Sequence, residues 1–330
     1  MAERFHRRHI LGLLGCGAAA ATVGGYRLIS PPQSTAAPAA ATPSSTGWTA
    51  GEGAAQASDG AAKLAIVRNG SPSAMVDAAL GALGGIGAFV SSGDKVLVKP
   101  NIGWDRTPEQ AANTNPEVVA RLVELSLGAG AKRVTVMDYT CNDARRCYTN
   151  SGIQAAAEAA GARVLHVDSE RVTTVDIGGE VIREWDVFDE MLDADVRINV
   201  PVAKHHSLSR VSLGMKNWMG CAAGHRPRMH QKINVSIVDL AAYFRPSVTL
   251  IDAYRILIAN GPTGGRLADV RQANTLCAST DPVAADTFGA SLFGIGPDDL
   301  HSLTLGEERG LGTRQLDSLP LREIDLGSGA

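Results

Sequence analysis

The run Asn199-Val-Pro-Val-Ala-Lys204-His205-His206, followed by Lys216-Asn217-Trp218-Met219-Gly220, gathers amines, amides and imidazoles into one short stretch. A lysine ammonium is a compact point charge suited to a carboxylate or phosphate. Lys99-Pro100-Asn101 adds another amine and another amide. These types point to an anion site in which Lys99, Asn101, Lys216 and Asn217 bind the ligand. Lys204, His205 and His206 are the groups that could act on it, since imidazole gives or takes a proton near neutral pH. Adjacent side chains on a strand face opposite ways, so His205 and His206 share a ligand only if their segment is a loop.

A second set suits a divalent cation. His230, in the loop-like run Gly224-His-Arg-Pro-Arg-Met-His230, could combine with Asp138 or Asp252 as metal ligands. Gly261-Pro-Thr-Gly-Gly265 is either a plain turn or a source of backbone N–H groups for an anion. Asp281-Pro282 has the form of a helix cap followed by proline in the first turn. Cys141 and Cys147 are close enough in sequence to close a small disulfide loop outside the cytosol.

These groups need a scaffold, and the hydrophobic pattern supplies one. Strand-like runs at Leu64–Val67, Lys95–Lys99, Arg133–Met137, Arg163–Val167, Val196–Val200, Val248–Asp252 and Asn274–Cys277 are separated, in the first half, by helix-like runs. Pro116 opens one such helix, with Val118, Val119, Leu122, Val123 and Leu125 on its apolar face. The alternation predicts an α/β fold with a mostly parallel central sheet flanked by helices. Val172–Ile177, Gly178-Gly179 and Val181-Ile182 read as a hairpin. Residues 207–246 read as an irregular polar insertion. Lys99, Asn101, Asp138, Lys204 and Asp252 all follow or end strands, where ligands of parallel sheets gather.

Composition limits the function classes. The 330 residues carry a net charge of -3, 45% hydrophobic and 20% charged residues, which describes a globular chain without the basic footprint of nucleic-acid binding. No Gly-Lys-Ser/Thr Walker loop, Gly-x-Ser-x-Gly elbow or Gly-x-Gly-x-x-Gly fingerprint is present. No Cys-x-x-Cys pair occurs, which argues against an iron–sulfur cluster.

The N-terminus reads as a twin-arginine export signal over residues 1–29. Arg7 and Arg8 precede a short apolar stretch that is too rich in alanine and glycine to span a bilayer stably. Residues 30–62 form an Ala/Pro/Ser linker whose composition favours disorder, and 63–330 form a single α/β domain. The expected partner is the twin-arginine translocon and the expected location periplasmic or cell-envelope. Leu13-Leu14-Gly15-Cys16 offers a lipid anchor at Cys16, and the uncleaved signal segment a membrane tether, as alternatives to cleavage further on.

Several of these blocks, in this order, resemble the domain of unknown function 362 family. They are Lys99-Pro100-Asn101, Thr114-Asn115-Pro116-Glu117, the strand ending at Asp138, Asn199 through His205, and Lys216 through Gly220. Gly261-Pro262-Thr263-Gly264 and Asp281 through Asp286 are similar to the family's C-terminal part. Members that carry a cysteine-rich ferredoxin module are labelled iron–sulfur proteins; this chain lacks those cysteines. The expectation is an exported protein that binds a small anionic ligand, with a divalent metal as an option, and acts as an enzyme of unassigned reaction. The alternative is a non-catalytic periplasmic anion- or metal-binding protein, or an assembly protein of an envelope redox complex.

Overall fold

The computed structural model describes residues 61–167 and 171–327. The twin-arginine segment, Cys16 and linker residues 30–60 lie outside the described residues. No described helix is long and apolar enough to cross a membrane.

The strands are β1 (Leu64–Arg68), β2 (Lys95–Pro100), β3 (Arg133–Asp138), β4 (Arg163–His166), β5 (Val172–Asp176), β6 (Glu184–Phe188), β7 (Val196–Val200), β8 (Val202–His206), β9 (Arg210–Ser212), β10 (Val248–Leu257), β11 (Val270–Ser279) and β12 (Leu321–Asp325). The helices are α1 (Pro72–Ala82), α2 (Pro116–Gly128), α3 (Ala144–Asn150), α4 (Ile153–Ala159), α5 (Asp189–Leu192), α6 (Gly214–Asn217), α7 (Pro227–His230), α8 (Ile233–Phe244), α9 (Pro282–Ser291) and α10 (His301–Glu308).

One sheet runs in the order β12-β1-β11-β10-β7-β2-β3-β4, with β8 beside β10 and β9 beside β8. β2, β3, β4, β7 and β10 pair in parallel, and β11 is antiparallel to both β1 and β10. The mostly parallel α/β architecture expected from the sequence is therefore present. Period-two alternation divides the core between the two faces. Ala65, Val67, Val96, Val98, Val134 and Val136 pack with α1, α2, α3 and α4 on one face. Leu64, Ile66, Leu97, Met137 and Ile251 pack with α8, α9 and α10 on the other.

The hairpin is wider than the Gly-Gly signal implied, because β6 begins only at Glu184. The buried Asp239 of α8 accepts from the N–H groups of Glu180, Val181 and Ile182 at 2.9–3.1 Å, drawing those residues out of the ladder. The segment 207–246, expected to be irregular throughout, consists of short elements only as far as His230. Beyond it Ile237, Val238, Leu240, Ala241 and Phe244 turn α8 onto the sheet, the spacing of an apolar helical stripe.

Candidate functional site

The C-terminal ends of β2 and β3, the exit from β7, strand β8 and the 3-10 turn after α6 enclose a cavity of about 370 Å³. Its floor begins with Lys99. Val98 faces α2, so Leu97 and Lys99 face the opposite side, and the in-register neighbour of Lys99 on β7 is Asn199. The ammonium of Lys99, fully buried, pairs with Asp138 Oδ1 at 2.7 Å. It also donates to Pro100 O at 3.0 Å and to Asn217 Oδ1 at 3.1 Å. All three of its hydrogens are thereby used inside the wall. Asp138 accepts in addition from the N–H groups of Ile102 at 2.7 Å and Tyr139 at 2.9 Å.

Asn217 joins three elements. Its amide nitrogen donates to Lys99 O at 3.1 Å and Asn199 Oδ1 at 2.9 Å, while Asn199 donates to Gly214 O at 2.9 Å. α6 is anchored from behind by Asp286, which accepts from Gly214 N at 2.6 Å and Met215 N at 2.9 Å. Burial pushes the Asp286 carboxyl up to about 7 against the opposing pull of those two backbone donors. Thr114 ties the strand exits together, accepting from Asn101 N at 2.8 Å and donating to Val200 O at 2.7 Å.

β8 forms the opposite wall. Val202, Lys204 and His206 line the cavity, the odd-even pattern of one strand face. Lys204 is buried and donates to Asn101 Oδ1 at 2.9 Å and Ala112 O at 2.6 Å. Burial, with no ion pair to offset it among the described residues, pulls its ammonium down to about 7. Lys216 is half-buried, and its one hydrogen-bond partner among the described residues is the thioether of Met219 at 3.7 Å. Burial pulls it down to about 8.

The two imidazoles of the wall lie with ring centroids 6.4 Å apart and planes 17° from parallel. His206 Nδ1 accepts from the N–H groups of Leu208 at 3.1 Å and Ser209 at 3.3 Å. That fixes the proton on Nε2. Burial first, then the neighbouring Lys216 and Lys204, push its pKa down to about 3, so the ring is neutral. His230 has the opposite tautomer: Nδ1 lies 3.0 Å from Arg226 O, which can only accept, leaving a lone pair on Nε2. Burial lowers this ring as well. Arg226 stacks over Tyr139 at 4.1 Å and donates to the carbonyls of Tyr139 at 2.9 Å and Thr140 at 2.5 Å.

The structure thus brings together Lys99, Asn101, Lys204, His206, Lys216, Asn217, His230 and Asp138. Three expectations are corrected. His205 points away from the cavity, as alternation on β8 requires, and its Nδ1 accepts from Gly261 N at 3.1 Å. Asp252 is remote from the cavity: it accepts from Asn115 N at 2.7 Å and Tyr254 N at 3.0 Å, holding the start of α2, and burial raises it to about 6. Cys141 and Cys147 are free thiols. Cys147 faces the core from α3, whereas Cys141 lies exposed at the cavity mouth.

His230 and Asp138 share the wall, but no group of three His, Cys, Asp or Glu among the described residues is placed to hold a metal ion. The N–H of Gly261 goes to His205 and that of Gly264 to Asn260 O, so the Gly-rich turn does not present those two donors to a ligand. Asp281 is a cap, accepting from Ala284 N at 2.8 Å. Arg226, Cys141 and Asp286 contribute without a local sequence signal for it; Arg226 lies in the run Gly224–His230, where the histidines carry the signal.

Among the lining residues Asp138 is the one acid, and Lys99 cancels it. What remains is Lys204, Lys216 and Arg226, with no further carboxylate in the wall among the described residues.

The model of the family described as "Domain of unknown function (DUF362)" matches residues 96–291. A curated relative, "Thylakoid-associated protein sll1697" of Synechocystis sp., is 29% identical over 237 residues, which is 69% of this chain and 72% of the relative. Among solved structures, the lactate racemase apoprotein of Thermoanaerobacterium thermosaccharolyticum superposes with a TM-score of 0.39 at 11% identity, covering 69% of this chain and 56% of that one. A Thermotoga maritima protein does so with a TM-score of 0.38 at 12% identity, covering 68% of this chain and 60% of that one.

Proposed function

The chain belongs to the DUF362 family, and we propose that its cavity binds a small organic anion, a carboxylate or a phosphate. The observation that carries this reading is Lys216. An ammonium turned into a cavity without an oxygen acceptor among the described residues gains a charged partner when something anionic enters. Arg226, already oriented by its two carbonyl contacts, supplies a second cation without further ordering. A cavity of about 370 Å³ suits a small molecule.

The bound anion would lie beside one imidazole that donates, His206, and one that accepts, His230. That pairing suits proton transfer on the ligand, and so an enzyme more than a capture protein. Lys99 and Asn217, expected as ligand contacts, serve in this reading as the frame that holds Asn101 and Lys204 in place.

Calorimetry of the full-length protein with oxalate and with inorganic phosphate tests the proposal. Binding of one of them, weakened about tenfold or more by Lys216→Met, is the expected result. Absence of binding by both at millimolar concentration would sink it.

We also propose that Arg7 and Arg8 direct export through the twin-arginine translocon. Cell fractionation is the check: an Arg7→Lys/Arg8→Lys pair should retain the protein inside, and unchanged export would count against this route.

A further inference from the structure

Lys99 and Lys204 border the same cavity in opposite circumstances. Lys99 is neutralised by Asp138 and has three acceptors for its three hydrogens. Lys204 is equally buried but has two neutral acceptors, Asn101 Oδ1 and Ala112 O, and makes no ion pair among the described residues. Two donated hydrogens complete the inventory of a neutral amine and leave one lone pair at the nitrogen. Lys216 beside it disfavours a second positive charge.

Resting on the anion-binding reading, we infer that Lys204 forms an imine with the carbonyl carbon of an oxo compound whose carboxylate or phosphate is held by Lys216 and Arg226. A buried lysine next to another cation is the arrangement that makes an amine nucleophilic at neutral pH. The pull of Lys204 down to about 7 agrees with that geometry. In the step itself the Nζ lone pair forms a C–N bond to the carbonyl carbon while the C=O π pair moves to oxygen. Both nitrogen hydrogens end on that oxygen, which departs as water, and nitrogen and carbon are left doubly bonded. No oxidant or reductant is consumed. The Nε2 lone pair of His230 is the acceptor on the wall that can relay one of the protons.

The test is reductive trapping on the full-length protein, with glyoxylate as the carbonyl probe and cyanoborohydride as the trapping reagent, read by peptide mass spectrometry. Lys204 should carry a carboxymethyl adduct at close to one per chain. Its labelling rate should rise through about pH 7 and exceed that of the exposed Lys63, Lys132 and Lys232. Oxalate should protect it. Adducts confined to exposed lysines, or labelling of Lys204 no faster than Lys63, would overturn the inference.

The wild-type mapping does not depend on any variant folding; Lys204→Arg, checked by circular dichroism, should remove the adduct. The two readings separate cleanly. If oxalate binds and Lys204 stays unlabelled, the imine fails and the anion site stands. If oxalate neither binds nor protects while acetaldehyde labels Lys204, the anion site fails and the reactive amine stands.

Discussion

Asn217 grips Lys99 at both ends, donating to its backbone carbonyl and accepting from its ammonium, each at 3.1 Å. The residue that α6 contributes to the cavity therefore fixes the strand backbone and the strand's charged side chain together. Removing it strands buried partners on both, and each buried polar group left unpaired costs about 1–3 kcal/mol. Asn217→Ala should therefore lower the unfolding free energy by about 2–4 kcal/mol, measured in urea.

Gly220 is the tightest point of the wall. A Cβ there would sit 1.9 Å from Asp138 Oδ1 and 2.7 Å from Lys99 Nζ. Gly220→Ala must push apart a buried ion pair, and a loss of about 3–5 kcal/mol in denaturant unfolding is expected, the range for breaking such a pair. A variant within about 0.5 kcal/mol of wild type would show that the turn moves freely.

Lys216→Met should separate stability from binding. The substitution removes a partly buried charge whose one hydrogen-bond partner among the described residues is a thioether, so the ligand-free protein should gain about 1–2 kcal/mol, as active-site charges often allow. Oxalate affinity should fall over the same change. A variant both less stable and unchanged in affinity would contradict the role assigned to this lysine.

The pH dependence of the ligand-free protein should show a trough near neutrality. Lys204 and Lys216 titrate near 7 and 8 when folded against an ordinary 10.5, so the unfolded chain binds more protons above pH 7 and stability rises from there toward 10.5. Asp252 and Asp286 titrate near 6 and 7 when folded against an ordinary 3.8, so the folded chain binds more protons and stability falls between about pH 4 and 7. Denaturant midpoints across pH 4–10 would reveal the trough. Oxalate should fill it in, with proton uptake seen as a buffer-dependent binding enthalpy. A stability maximum at pH 7 in the ligand-free protein would contradict the unpaired lysines.

Thiol labelling checks the cavity mouth. Cys141 should react with iodoacetamide without prior reduction, and bound oxalate should slow it. Cys147 and Cys221, buried and pushed up to about 11 and about 12, should react only on unfolding. Cys277, also raised by burial, should behave like them.

The strands around the site were legible because each is a short apolar run closed by a polar residue, as in Val96–Lys99 and Val134–Asp138. The residues at their ends came with them. What the pattern did not disclose was direction. Asp252 closes an apolar run just as Lys99 does, yet it lies midway along β10 and faces the start of α2, and only the neighbouring chain decides that. β8 was also hidden, since a run of lysine and histidine does not read as a strand until a cavity exists for it to line. Asp286 looked like any acid one turn into a helix, because its partners, Gly214 and Met215, are distant in sequence.

The alternation along β8 has a consequence for how this chain can vary. The strand works as a reading frame for the cavity, presenting residues 202, 204 and 206 and withholding 203 and 205. A single residue inserted after Pro201 would shift that frame, offering Ala203 and His205 in place of Lys204 and His206 while leaving composition almost untouched. Length between Pro201 and Ser207 should therefore be held more strictly than most side chains in that interval.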